Sequence, residues 1–383
     1  TSGGAKSVAK TDLSALAGKN LIIWPDADIA GAGYAADIRK IVESLSPPAR
    51  VKIIDPADLD LKDGEDVVDF VQQLKNAGKD EIEIKKNLIE VFSRAKSTGP
   101  ASDLQVMFAD IGAGRMRPLE TGFPVLDDLL QIYPGSLTNA CGPSGSRKSL
   151  WMLQLARKWH AAGIKVAIYE LEKTVGIHLR RALAQETGTA SLTRNSWVEK
   201  NFAVASKLIA DNFEFSESFG RCLFASPNKM VYQNDVIEWA QKRVDAGCIA
   251  LIIDPATIAE RNSEPWKADQ EFVGNLQRIA TLNKVSIFLV LHPSKVVVTL
   301  PDLALISGGK AYGCFCDNAV WIENHNRKKS TIKFCTGSQE ENHDATLHIL
   351  KSRDGAGTGA RIALDFNEHN LTLHELGRIT KKE

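Results

Sequence analysis

The chain has 383 residues, 44% of them hydrophobic and 25% charged, which is ample for a buried core and suggests about two domains. Lysine plus arginine and aspartate plus glutamate both total 47, so the net charge gives no sign of a nucleic-acid partner, and any basic surface must be local. No apolar run reaches membrane-spanning length and no signal peptide is recognisable, so we expect a cytoplasmic protein without a membrane partner.

The six cysteines do not form a metal-binding pattern. They are scattered along the chain, and the closest pair, Cys314 and Cys316, is too tightly spaced for the usual zinc pair. We expect reduced thiols, as is usual in the cytoplasm.

The N-terminal part predicts a small parallel α/β unit. Apolar strands at 20–24 and 51–55 alternate with helical patterns that reach about residue 45 and cover about 67–74. Asp26 and Asp28 directly follow the first strand, where two carboxylates can converge on one Mg²⁺ ion. A solvated turn explains the same two residues equally well, because aspartate is common in turns.

This part is followed by a second amphipathic pattern at 78–97 and by a linker at 97–102. Further along the chain, a glycine-bearing segment follows an apolar strand and opens a helix. In such a loop the backbone N–H groups and the helix dipole bind phosphate, the lysine reaches the β- and γ-phosphates, and the final hydroxyl binds Mg²⁺. The segment therefore predicts an ATP–Mg²⁺ site formed by Gly142, Pro143, Ser144, Gly145, Ser146, Arg147, Lys148 and Ser149.

One position departs from the usual phosphate-loop pattern. Arg147 stands where glycine normally precedes the lysine. Its Cβ crowds the turn, although its guanidinium can also contact phosphate.

The C-terminal part predicts a larger, mostly parallel sheet that ends in antiparallel strands. Apolar strands are expected at 165–169, 221–225, 248–253, 285–291 and 318–322, with helices between them and a loop at 294–313. The runs at 345–350, 361–366 and 370–374 are typical of antiparallel strands that close the sheet.

Polar residues follow three of these strands, at the edge where open α/β sheets bind ligands. Asp254 is suited to hold Mg²⁺, Glu172 to orient or deprotonate water, and His292 to sense the γ-phosphate. Each has an ordinary structural alternative, as a turn former, a solvated loop residue or a structural histidine. Glu170 also competes for the role of Glu172.

Together these segments resemble the RecA-like motor of replicative primase-helicases of the DnaB, Twinkle and bacteriophage type. The resemblance rests on 121–127, the strand end at 168–173, the acidic strand end at 251–254, the segment at 291–295, the loop at 306–317 and the run at 350–359. It implies an α/β RecA-like P-loop ATPase core at 118–383, preceded by a linker helix and linker at 78–117 and by a small partial TOPRIM-like α/β domain at 1–77.

The resemblance also implies partners. Arg353 would be an arginine finger supplied to a neighbouring copy, with Lys351 as its companion, so the chain would form a homo-oligomer, expected as a hexameric ring. Single-stranded DNA would lie in a central channel, contacted by Arg261, Lys267, Lys295 and Lys310. A second basic residue of related phage enzymes is matched only loosely, by Arg327.

The TOPRIM resemblance rests on Asp26, Asp28 and Gly31, with further acidic residues at Asp63 and Asp66. The glutamate that this fold carries on an earlier strand is not found, nor is a zinc module. We therefore expect a chain that begins partway through the fold and cannot synthesise primers.

The leading hypothesis is an ATP-dependent translocase of a phage or mobile-element primase-helicase. The alternative is an ATP-binding regulatory or docking protein with little helicase activity, which Arg147 and the missing glutamate favour. A metal-dependent nuclease using Asp26 and Asp28 is a third hypothesis.

Overall fold

The computed structural model describes residues 11–97, 104, 107–109, 111–114, 116–226, 230–261, 264–294, 300–307, 310–334 and 337–380. The chain divides into two compact units, Thr1–Arg115 and Met116–Glu383. In the described part of the chain, no helix combines the length and apolar character needed to cross a membrane.

The first unit contains a three-stranded sheet of order β1-β2-β3, in which β1 and β2 are parallel and β3 is antiparallel to β2. Its elements are β1 Asn20–Ile23, α1 Ile29–Glu43, β2 Arg50–Ile53, α2 Val67–Asn76, α3 Glu81–Ser93 and β3 Lys96–Ser97. Aspartate caps open the helices: Asp28, Asp66 and Asp80 each accept backbone N–H groups of the first turn, the usual solution for these unpaired donors. The expected strand–helix–strand–helix order is confirmed.

The second unit is built on a nine-stranded sheet of order β10-β11-β12-β9-β4-β8-β7-β5-β6. Its strands are β4 Leu137–Cys141, β5 Val166–Glu170, β6 Leu223–Ala225, β7 Ala250–Asp254, β8 Ser286–Leu291, β9 Asn318–Phe334, β10 Gly337–Ser352, β11 Arg361–Asn367 and β12 Thr372–Ile379. The strands from β9 to β6 in that order run parallel, while β9, β10, β11 and β12 pair antiparallel with one another.

Helices cover both faces of the parallel part. They are α4 Pro124–Leu130, α5 Lys148–Ala161, α6 Val175–Thr187, α7 Asn195–Lys200, α8 Phe202–Asp211, α9 Phe213–Gly220, α10 Gln233–Asp245, α11 Pro265–Asn283 and α12 Lys310–Phe315. One core includes Trp151, Trp159 and Phe288, and another includes Phe272 and Trp321, all almost fully buried. Buried strands between two helical layers explain the near-continuous apolar runs in the sequence.

The antiparallel closure is confirmed, but the ribbon of β9 and β10 is much longer than expected. β9 has 17 residues and β10 has 16, and their pairing extends to Phe334 and Gly337. Apart from the buried Ile332 and His343, the distal half is mostly polar and exposed, so it lacks the apolar alternation that marks a strand in sequence. The loop expected at 294–313 also contains the start of α12.

Candidate active site

The segment between β4 and α5 forms a tight loop at the carboxyl end of the parallel strands. Gly142 and Gly145 adopt φ of 154° and 77°, and a Cβ at Gly142 would collide with the carbonyl of Ile322 on β9. The loop therefore requires glycine at its first position, where the backbone passes against the sheet.

Arg147 adopts φ 69°, the left-handed conformation that favours glycine. For an L-residue this conformation costs roughly 1–2 kcal/mol. The backbone at Arg147 thus keeps the conformation that glycine usually adopts here, and the Cβ adds this conformational cost. Its guanidinium is directed at Asn324 and Phe366, with Nη1 3.2 Å from the Asn324 side-chain oxygen and Cζ 3.9 Å from the Phe366 ring centroid.

Lys148 is buried at the first turn of α5. Its Nζ donates to the carbonyls of Gly142 at 2.7 Å and Pro143 at 2.9 Å, and to Ser146 Oγ at 3.3 Å. Burial lowers the pKa of its ammonium. The ammonium of Lys148 is thus bonded to the backbone and side chain of its own loop.

Ser149 and Asp254 supply the oxygen atoms suited to a magnesium ion. The side chains of Ser149 and Asp254 lie near each other in one cavity, and the Asp254 carboxylate ends β7 and is buried. Burial, with a contribution from Glu170, raises the pKa of Asp254 to about 7. A hydroxyl and a carboxylate near each other are hard ligands of the kind Mg²⁺ prefers, and a cation there would offset the cost of the buried charge, so these residues fit the ion.

Glu172 and His292 face each other across the same cavity. Glu172 follows β5, His292 follows β8, and their Oε1 and Nε2 atoms are 3.8 Å apart. The Glu172 side chain is 44% exposed, which leaves it open to water. Burial, and then the charge of Lys148, lower the pKa of His292 and favour the neutral imidazole.

Glu170 lies behind Glu172 and away from solvent. Its Oε2 is 2.8 Å from Nε2 of His178 on α6, and both side chains are buried. Burial raises the pKa of Glu170 to about 8 and lowers that of His178 to about 4. Of the two competing carboxylates, Glu172 is the one with access to water.

The loop, Glu172, Asp254 and His292 line one cavity of about 650 Å³, together with Arg180 and Arg181 of α6. The sequence-predicted residues at three strand ends and in the loop therefore lie together. Arg180 and Arg181 were not expected, because a helical arginine in sequence does not reveal which face it occupies.

Arg353 and Lys351 lie elsewhere. Arg353 Nη1 is 2.7 Å from Oδ1 of Asp317, at the start of β9. Lys351 Nζ donates to the carbonyls of Gly313, Cys314 and Cys316 at 3.0, 3.4 and 2.6 Å, at the C-terminal end of α12. Within the chain, neither side chain reaches the loop cavity lining.

The expected DNA contacts differ in their surroundings. Arg261 forms two hydrogen bonds, of 2.9 and 3.0 Å, with buried Asp269. Lys267 is exposed and 4.0 Å from Glu271, and Lys310 is exposed at the start of α12. Lys295 lies outside the described residues.

Asp26 and Asp28 follow β1 as expected, but Asp28 accepts the N–H of Gly31 at 2.6 Å as the cap of α1. Among the described residues, no group of three or more His, Cys, Asp or Glu side chains is placed to hold a metal ion. Asp66 is engaged in a capping box with Asp69.

No model of a protein family matches the chain. The chain is 27% identical over 233 residues to the Twinkle homolog protein, chloroplastic/mitochondrial, of Arabidopsis thaliana, a match that covers 55% of this chain and 31% of that protein. It is 36% identical over 91 residues to the DNA repair protein RadA of Mycobacterium tuberculosis, covering 23% of this chain and 19% of that protein. The chain thus spans less than a third of the length of these curated relatives.

Solved structures extend the comparison to the fold. One solved ATPase domain superposes with a TM-score of 0.57 at 14% identity, covering 73% of this chain and 99% of that one. A DnaB-like replicative helicase, solved in a study of its interactions with primase, superposes with a TM-score of 0.54 at 13% identity. The superposition covers 80% of this chain and 75% of that one. The chain therefore contains an α/β unit with a mostly parallel sheet that shares its fold with these two solved chains.

Proposed function

We propose that the unit 116–383 is an ATP-hydrolysing motor that moves on single-stranded DNA. The observation that carries the proposal is the convergence of Lys148, Ser149, Asp254, Glu172 and His292 on one cavity at the carboxyl edge of four neighbouring parallel strands. These are the groups that phosphoryl transfer to water requires.

Each side chain has a role that follows from its position. The loop N–H groups and Lys148 bind the triphosphate, and Ser149 and Asp254 hold Mg²⁺. The ion would neutralise charge on the transferring phosphoryl group. Glu172 takes the proton of the attacking water, and His292, 3.8 Å away, donates a hydrogen bond on the γ-phosphate side.

We propose that Arg353 completes the site of a second copy, in a ring that we expect to be hexameric. Asp317 anchors Arg353 and also accepts the N–H of Leu137, the first residue of β4, at 2.9 Å. The loop follows Cys141, the last residue of the same five-residue strand, which lies about 13 Å from Leu137 at ~3.3 Å per residue. Arg353 cannot contact its own loop across that distance.

The names of similar proteins and two exposed lysines support a DNA partner. The relatives include a Twinkle homolog and a DNA repair protein, and one solved relative is a replicative helicase. Lys267 and Lys310 are exposed cations suited to phosphate contacts, whereas Arg261 is held by Asp269. Lys295 stays a candidate from sequence. Backbone contacts of this kind favour single strands of any sequence.

The test is ATP turnover with and without single-stranded DNA, together with a mass measurement of the assembly. We expect turnover that DNA stimulates, an oligomer, and loss of turnover in Lys148→Ala. A monomer that hydrolyses ATP at the same rate with and without DNA contradicts the motor.

A regulatory nucleotide-binding protein is the second candidate. It is favoured by the internal partners of Lys148 and Arg353, which hold both side chains in one chain. It predicts ATP binding without turnover on DNA, so the same experiment separates the two.

For the first unit we propose a TOPRIM-like domain without primer synthesis. The parallel β1–α1–β2 arrangement and Asp26 after β1 support it, while the capping role of Asp28 argues against a metal-dependent nuclease. De novo primer synthesis from template and ribonucleotides by this chain would contradict the proposal.

A further inference from the structure

The side chain of Arg147 crosses from the phosphate loop to the antiparallel strands. Arg147 directs its guanidinium at Asn324 and Phe366, whereas Lys148 directs its ammonium at the carbonyls of Gly142 and Pro143. Its guanidinium lies over the Phe366 ring of β11 at 3.9 Å from the centroid, a cation–π contact.

Asn324 of β9 links the loop to the sheet at two points. Its side-chain oxygen accepts from Arg147 Nη1 at 3.2 Å, and its Nδ2 donates to the carbonyl of Gly145 at 2.6 Å. The amide therefore fixes both the side chain of one loop residue and the backbone of another. A single residue with one donor group and one acceptor uses both on the same loop.

Phe366 is itself held in place. Its backbone N–H donates to Asp344 Oδ2 of β10 at 3.0 Å, and Phe366 pairs with Leu373 of β12. The surface that receives Arg147 is therefore part of the sheet.

We propose that Arg147 and Asn324 are positioning residues that set the affinity of the loop for the triphosphate. Glycine at this point gives a loop its curvature through backbone freedom. In this loop, side-chain contacts stabilise the curvature instead: Arg147 contacts β9 and β11, and Asn324 donates to the carbonyl of Gly145. The inference rests on the proposed ATP site and deepens it.

The contacts predict a specific division of kinetic effects. Both residues act on the loop before and during the reaction, without touching the transferring phosphoryl group. Their loss weakens ground-state and transition-state binding alike, which raises KM and leaves kcat nearly unchanged. Substitution of a residue that is needed only for folding would instead lower the Tm.

The experiment compares Asn324→Ala, Arg147→Gly and the double variant by the Kd of a non-hydrolysable ATP analogue with Mg²⁺, by kcat and KM for ATP, and by Tm. We expect each single variant to raise Kd and KM roughly 3- to 10-fold, the size of one or two lost hydrogen bonds, with kcat within about 2-fold. The double variant should show less than the sum of the two single effects, because the Arg147–Asn324 hydrogen bond is lost in each single variant. Arg147→Gly should keep the wild-type Tm, since it relieves the left-handed backbone.

Arg243→Ala is the matched control, because Arg243 also stacks on a phenylalanine, Phe224, at 4.7 Å, but does not line the cavity. We expect its Kd to equal that of the wild type. Unchanged Kd in Asn324→Ala and Arg147→Gly, fully additive effects, or affinity loss only in step with a lower Tm would each overturn the inference. Failure of the wild type to bind the analogue would count against the proposed function instead.

Discussion

Arg353 Nη1 lies 2.7 Å from Asp317 Oδ1 of the same chain, at the end of the sheet opposite the phosphate loop. The Arg353 side chain is 53% exposed and that of Asp317 is 8% exposed, so the guanidinium is accessible while its partner carboxylate is buried. A negatively charged triphosphate on another copy can compete for the arginine, and the Leu137 N–H stays bonded to the buried Asp317 carboxylate when Arg353 leaves it.

The trans role of Arg353 predicts complementation between two inactive variants. Lys148→Ala and Arg353→Ala should each lose most ATP turnover, since a finger contributes about 10³–10⁵-fold. Mixed in equal amounts before assembly, they place an intact loop against an intact Arg353 at about one interface in four, so turnover should return to roughly a quarter of wild type. A mixture as inactive as its components would show that Arg353 does not serve a neighbouring loop.

The buried carboxyl of Glu170 predicts a pH-dependent stability difference. Its pKa is about 8 in the folded chain against an ordinary 4.5, so between these values the folded protein holds a proton that the unfolded chain releases. Its contribution to the free energy of unfolding therefore falls as pH rises, by up to about 1.4 kcal/mol per unit.

Glu170→Gln removes that dependence. We expect the variant to gain stability relative to the wild type in urea unfolding between pH 5 and pH 8. Parallel stability curves for the two proteins would contradict the burial argument.

Lys351 is held too firmly for a mobile companion of Arg353. Its Nζ donates to three carbonyls at the end of α12, where a cation also offsets the helix dipole. Lys351→Ala should lower the free energy of unfolding by about 1–3 kcal/mol. An unchanged Tm with a large fall in kcat would instead favour the catalytic role that the sequence suggested.

The exposed Lys310 predicts a change in the salt dependence of DNA binding. Lys310→Ala should weaken binding to single-stranded DNA and reduce the slope of log K against log salt by about 0.7, as expected for one lost phosphate contact. Arg261→Ala serves as the contrast: it leaves buried Asp269 without its ion pair, so its main effect should be on stability. Identical salt slopes for Lys310→Ala and the wild type would show that Lys310 does not contact the DNA.

The sequence predicted the parallel strands and the cluster at their carboxyl ends because both have local signals. Apolar runs mark buried strands, and Glu172, Asp254 and His292 each follow such a run directly. In a parallel sheet these ends meet at one edge, so chain order is enough to place them together.

Other features depend on contacts between distant residues. Nothing near Asn324 or Phe366 in sequence reveals that they hold the loop, since their partner Arg147 is 177 residues away from Asn324. The outer part of the β9–β10 ribbon is mostly polar, and Ile332 and Phe334 are too few apolar residues to give a strand periodicity. The sequence shows that Arg147 replaces the usual glycine of the phosphate loop. It does not show that Arg147 adopts a left-handed backbone or that its side chain contacts Asn324 and Phe366.

ATP turnover by Glu172→Gln, with Glu170→Gln as the matched control, tests the central claim most directly. We predict that Glu172→Gln binds the Mg²⁺–ATP analogue as the wild type does but loses about 10²–10⁴-fold in kcat. Glu170→Gln should stay within about 3-fold, because the raised pKa leaves Glu170 protonated at pH 7 and glutamine resembles the neutral acid. Wild-type turnover in Glu172→Gln would contradict the account.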